Sequence, residues 1–131
     1  MYLLIITILL TLAVVSIHAI RSVCVVKYLP VRKLSYNGLI VKLFIVVLFL
    51  ILLHLIEASF FAVYYYLTNA ISTFSISIYY SLVSYTTLGY GDIMPDAAYR
   101  IVGGYEGLLG TLMTGWSTAL LIKELHTQTI N

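Results

Sequence analysis

Hydrophobic positions fall into three long runs separated by two short segments of different character. The first run, MYLLIITILLTLAVVSIHAI at residues 1–20, is apolar on every side, broken only by Thr7, Thr11, Ser16 and His18. A second covers about 39–67 and ends in Tyr64, Tyr65 and Tyr66, and a third covers about 100–122. Each reaches the roughly 20 apolar residues that cross a hydrocarbon core, so the pattern predicts three membrane-spanning helices. The second is long enough to require tilt or protrusion. Its tyrosines suit an aromatic belt at the outer interface. The first helix reads as lipid-facing, with His18 as an interfacial residue.

Residues 68–99 are not an ordinary loop. FSISIYYSLVSYT at 74–86 is apolar, lacks Gly and Pro, and follows Ser72 and Thr73, two candidate helix caps. As a helix it is roughly 20 Å long. That is too short to span and suits a segment that dips in and returns. TTLGYGDIMP follows, and its glycines and proline end the helix. Non-helical backbone at membrane depth persists only where protein or water satisfies its polar groups, so this stretch is expected to line an aqueous path.

Charge supplies a direction. RSVCVVKYLPVRKLSYNG at 21–38 contains Pro30 and the turn signal Asn37-Gly38, and Arg21, Lys27, Arg32, Lys33 and Lys42 lie in or beside it. The positive-inside rule places this linker in the cytoplasm, the N-terminus outside and the C-terminus in the cytoplasm. The same cluster suits anionic lipid headgroups. Because Arg21 and Lys27 follow the first apolar run, that run reads as a retained helix and not a cleaved signal.

Composition narrows the function. With 131 residues, 62% hydrophobic and 9% charged, and a mean hydropathy of +1.05, three spans leave no room for a soluble catalytic domain. No nucleophile and base pair stands out, so an enzyme is not expected, and no cofactor is implied. Cys24 is alone, which excludes an intrachain disulfide and a thiolate metal site. A net charge of +2 is too small to indicate nucleic acid as a partner.

Thr87-Leu88-Gly89-Tyr90-Gly91 resembles the selectivity filter of potassium channels, whose loops read TVGYG. The residue types suit that role. Gly89 and Gly91 can adopt the dihedrals that turn successive carbonyls toward one axis, and Thr87 adds a hydroxyl. The resemblance implies K+ bound through Thr87, Leu88, Gly89 and Tyr90, with K+ as the permeant ion. Leu88 stands where the family usually has valine, which changes the side chain packed behind the carbonyl. Tyr79-Tyr80 occupies the place of a tryptophan pair that cuffs the filter, implying a hydrogen bond from Tyr79 to Asp92. Thr86 and Val83 complete the support, Val83 where some members carry a carboxylate. The 74–86 helix would aim its negative C-terminal end at the ion.

In the third run, Gly107, Thr111, Thr114 and Thr118 share one helical face by spacing. By resemblance the threonines line the cavity, and Gly110 falls at a hinge position. Close helix packing through the glycines is the competing account. Three ionisable residues lie within the spans: His54 and Glu57, on one face, and Glu106. They are expected to form one buried polar cluster, with Ser84 or Tyr85 as further partners, acting as glue or as a proton-sensitive gate. One histidine and two carboxylates make a weak metal set.

The resemblance covers roughly 39–122 and implies an all-α membrane protein with three transmembrane helices, a re-entrant pore helix and a homotetramer around a central pore. Its parts are an N-terminal helix at 1–27, a basic linker at 28–38, a pore domain at 39–122 and a tail at 123–131. Within the pore domain the outer helix is 39–67, the pore helix 74–86, the filter 87–91 and the inner helix 100–122. The expected function is passive, potassium-selective conduction. A poorly selective cation channel and a non-conducting accessory subunit are the alternatives.

Overall fold

The structure is a computed structural model that describes the chain over residues 2–28 and 35–130. Pro30, Arg32 and Lys33 of the basic linker lie outside the described residues, as do the side chains of Lys27 and Glu124. The described residues form helices α1 (Tyr2–Tyr28), α2 (Tyr36–Leu67), α3 (Phe74–Tyr85) and α4 (Arg100–Ile130), with a 3-10 turn at Ala97–Tyr99 before α4.

The boundaries follow from capping. α2 begins at Tyr36, so Asn37-Gly38 forms its first turn and is not the chain reversal expected there. Ser35 is the reason: its Oγ accepts from the Gly38 N–H at 3.3 Å, satisfying a donor that has no partner within the helix. α3 is capped by Thr73, whose Oγ1 accepts from the Ile76 N–H at 3.3 Å. It ends at Tyr85, with Thr86 as its C-cap. α4 continues to Ile130, so the expected tail from 123 extends the last helix.

Among the described residues, two helices are long and apolar enough to cross a membrane: Ile5–Cys24 of α1, with mean hydropathy 2.0, and α2, with 3.1. α4 has the length but not the hydropathy, because Glu106, five glycines and several threonines dilute it.

α3 packs against both α2 and α4, and α1 lies along α2 and α4. Ala58, Phe61 and Tyr65 of α2 meet Tyr85 of α3, Val14 of α1 and Val102, Leu109 and Met113 of α4 in one core. Phe44, Leu48, Leu52 and Ile56 of α2 remain exposed, as a lipid-facing surface requires.

Two expectations are corrected here. α1 is not apolar on every side: Thr7, Val14, His18, Arg21 and Ser22 are buried. Their spacing of seven, four, three and one places them on one stripe, and that stripe docks the helix. The three tyrosines do not form one belt. Successive residues of a helix point about 100° apart. Tyr64 and Tyr65 are therefore buried in the bundle, and only Tyr66 is exposed.

Glycines hold α4 against α3. A Cβ on Gly103 would run into the Tyr80 hydroxyl, one on Gly107 would come within 3.1 Å of the Ser84 carbonyl oxygen, and one on Gly110 would overlap the Tyr85 carbonyl. Gly107 and Gly110 thus serve close packing against the C-terminal turn of α3. At Gly110 the obstruction is backbone, which cannot rotate away. Gly110→Ala is expected to destabilise the fold by about 1–3 kcal/mol through overpacking, measurable as a lowered thermal unfolding midpoint in detergent.

Candidate functional site

Beyond Thr86 the backbone alternates in hand. Thr87, Gly89 and Gly91 have φ of 61°, 56° and 75°, while Leu88 and Tyr90 between them keep negative φ. Alternating right- and left-handed residues turn successive N–H groups to one side and successive carbonyls to the other. A β-branched residue at positive φ is rare, and Thr87 is held there by its surroundings. Its N–H donates to the Ser84 carbonyl at 3.0 Å and the Gly89 N–H to the Val83 carbonyl at 3.2 Å. The Thr86 and Thr87 hydroxyls bond the Leu82 and Thr86 carbonyls, both at 2.6 Å. Residues 86–92 are exposed in the single chain, with Leu88 at 59% and Tyr90 at 67%.

α3 positions this segment. Its 12 residues end at Tyr85, so the carbonyl-rich C-terminus carries the negative end of the helix dipole to the foot of the irregular stretch. At the far end the Tyr79 hydroxyl donates to Asp92 Oδ2 at 2.7 Å. That bond pushes the Tyr79 phenol up from its ordinary pKa. Tyr80 does not join it. Its ring stands edge-on to Tyr65, with centroids 5.1 Å apart. A cavity of about 180 Å³ lies between α3 and the irregular segment after it, lined by Tyr79, Tyr80, Val83, Gly89 and Asp92 among others. Val83 leaves its wall apolar where a carboxylate was the alternative.

On α4, Thr111, Thr114 and Thr118 are all exposed. Their hydroxyls donate to the carbonyls of Gly107, Gly110 and Thr114 at 3.0, 2.8 and 2.9 Å. Donors are thereby satisfied within the helix, and the oxygens' remaining lone pairs face outward.

The ionisable residues form two clusters, not the single one expected. Glu106 is fully buried. Tyr65 donates to its Oε2 at 2.9 Å, and Ser81 bonds its Oε1. Glu57 is also fully buried, but it sits eight residues before Tyr65, roughly 12 Å down α2. Neither His54, Ser84 nor Tyr85 therefore contacts Glu106 in these hydrogen bonds; His54 and Tyr85 belong to Glu57.

The Glu57 cluster is larger than the sequence suggested. Glu57 Oε1 accepts from His18 Nδ1 at 2.8 Å, and Oε2 accepts from His54 Nδ1 at 3.1 Å and from the Tyr85 hydroxyl. His18, expected at the interface, is fully buried. Arg21 Nη2 donates to His18 Nε2 at 2.8 Å. Ser117 of α4 lies 3.1 Å from His54 Nε2. His18 and Arg21 were legible as members of this site through the polar positions Thr7, Thr11, His18 and Arg21, which recur at near-heptad spacing along α1.

His18, His54 and Glu57 bring one ligand atom each within 4.8 Å of one another. The donor set nevertheless does not fit a metal. A neutral histidine that ligates through Nδ1 carries its proton on Nε2 and offers it to an acceptor. Here Nε2 faces a guanidinium, which has only donors. Loading the site would set two donors against each other.

The family model described as "Ion channel" matches residues 44–126. No curated protein and no solved structure matches the chain.

Two outcomes are expected. Glu106→Ala leaves the buried Tyr65 hydroxyl without its acceptor, while Ser81 keeps the Ala58 carbonyl, and should destabilise the fold by about 1–3 kcal/mol. Glu106→Gln, which keeps an acceptor and adds a donor, should recover most of that loss in the same thermal melt. Equilibrium dialysis against micromolar Zn2+ should detect no binding that His54→Ala removes.

Proposed function

The chain belongs to the ion-channel family, and from that premise we propose that it conducts potassium passively through a pore built from four copies. The observation that supports this reading is the recurrence of positive φ at Thr87, Gly89 and Gly91, a backbone hand that can turn successive carbonyls to one side, as coordination of a dehydrated cation needs. One chain supplies one such segment, and a filter of this type uses four. The exposed Leu88 and Tyr90 side chains are consistent with partners on neighbouring copies.

In this reading Thr87, Leu88, Gly89 and Tyr90 provide the oxygen rings for K+. Gly91 ends the filter, and Asp92 with Tyr79 braces its mouth. α3 directs its negative end toward the ion below, and Thr111, Thr114 and Thr118 line the cavity. The basic linker lies in the cytoplasm near anionic headgroups, with the N-terminus outside. Family membership makes this a channel and not an enzyme.

Selectivity for potassium rests on the ring geometry, and Leu88 is the departure that bears on it. The test is tracer uptake into liposomes holding the purified protein, driven by a potassium gradient and repeated with sodium. Potassium uptake should far exceed sodium uptake. Gly89→Ala places a Cβ at φ 56°, where an L-residue costs roughly 1–2 kcal/mol in each copy. It should therefore abolish the selective flux. Equal sodium and potassium uptake would overturn selectivity and implicate Leu88, whereas a stable tetramer without flux would indicate an accessory subunit.

A further inference from the structure

The Glu57 cluster joins α1 to Tyr85, two residues before the filter, and the Arg21 guanidinium fixes the direction of the His18 proton. Arg21 has only donors to offer, so His18 Nε2 must accept from it. His18 therefore carries its proton on Nδ1 and donates to Glu57 Oε1. Glu57 Oε2 takes the protons of Tyr85 and His54 Nδ1, and His54 Nε2 is then free to accept from Ser117. Each of these bonds then has one donor and one acceptor, and His54 Nδ1 also lies 3.1 Å from the Tyr85 hydroxyl. Arg21 fixes the His18 end of the arrangement.

Tyr85 is where this chain reaches the filter. Its side chain is buried and tied to Glu57, and its carbonyl is pressed against Gly110. The next two residues are Thr86, the cap of α3, and Thr87, the first left-handed residue of the filter. We propose that Arg21, His18 and Glu57 are positioning residues for the filter, acting through the Tyr85 hydroxyl, so that the docking of α1 sets how firmly the Thr86–Gly91 backbone is held. The proposal rests on the filter reading for its consequence in conduction, but the coupling itself is independent of ion flux.

Two filter amides serve as reporters, since the Thr87 and Gly89 N–H groups bond the Ser84 and Val83 carbonyls. Hydrogen exchange of the peptide containing them is measured on the full-length protein in lipid nanodiscs. Tyr85→Phe removes the hydroxyl without changing the ring, and should speed exchange by about fivefold or more, the scale of one lost hydrogen bond. His18→Phe should do the same. In the Tyr85→Phe background it should add nothing, because its route to the filter is already cut. His18→Asn restores an amide donor where Nδ1 stood, and should recover at least half of the protection. Emission from Trp116, whose ring centroid lies 5.4 Å from that of His18, reports whether α1 stays docked in each variant.

Exchange unchanged in His18→Phe with α1 docked would overturn the proposal. So would effects of His18→Phe and Tyr85→Phe that multiply in the double variant. Flux measured on the same preparations separates the two readings. Coupled exchange in a protein that does not discriminate potassium from sodium would retain the positioning role and remove the selective filter.

Discussion

An ionised carboxylate inside an apolar helix bundle is tolerated only if its lone pairs are met by donors, and this requirement at Glu57 organises the contacts between all four helices. Glu57 is fully buried on α2. Its donors come from α1 through His18, from α3 through Tyr85 and from α2 itself through His54, and Ser117 of α4 completes the shell. No single helix can supply that set. Removing any one donor leaves a charge under-solvated in a medium without water, which costs several kcal/mol where the group is fully enclosed. The cluster therefore specifies a relative placement of the helices that apolar packing alone would leave loosely defined, since lipid competes for apolar surface as well as protein does.

Strain in the following segment depends on that placement. Thr87 sits at φ 61°, which a β-branched residue does not adopt unaided. Neighbouring backbone is held on one side by hydrogen bonds to the C-terminal turn of α3 and on the other by the Tyr79 bond to Asp92. α3 is in turn fixed to α2 through the Ser81 hydroxyl and the Ala58 carbonyl, and to α4 through Glu106 and the glycine contacts. An irregular backbone of this kind can be rigid because rigid elements surround it at both ends.

Parts of this arrangement were legible in the sequence for identifiable reasons. TTLGYGD could be read because its conformation is encoded in residue type and spacing, with glycine at every second position. The Thr73 cap and the short α3 were legible because capping and length are local properties. Tyr79 and Asp92 were paired by family resemblance, since a contact across 13 residues of irregular chain has no local signature. The docking face of α1 was missed because hydrophobicity outweighs its few polar positions, although their spacing was available. The division of the ionisable residues into two clusters was hidden because composition places charges within a span but not at a depth. Only the pairing of Tyr65 with Glu106, and of Tyr85 with Glu57, separates the two levels.

α4 is held differently along its length, and the difference follows from where α3 ends. Gly103, Gly107 and Gly110 lie against Tyr80, Ser84 and Tyr85 in turn, so the N-terminal half of α4 follows α3 down to its last residue. Rotating this half by one residue would replace glycines with side chains that the α3 backbone cannot accommodate. Below Gly110 there is no α3 to meet. The polar contact there is Ser117 with His54, Arg21 and His18, and Trp116 packs on the His18 ring. The C-terminal half of α4 is thus restrained by α1 and α2, through hydrogen bonds that can exchange partners, and the N-terminal half by close glycine contacts with α3 that cannot. A displacement of α4 that leaves its contact with α3 intact must therefore begin below Gly110, where it works against both α1 and α2.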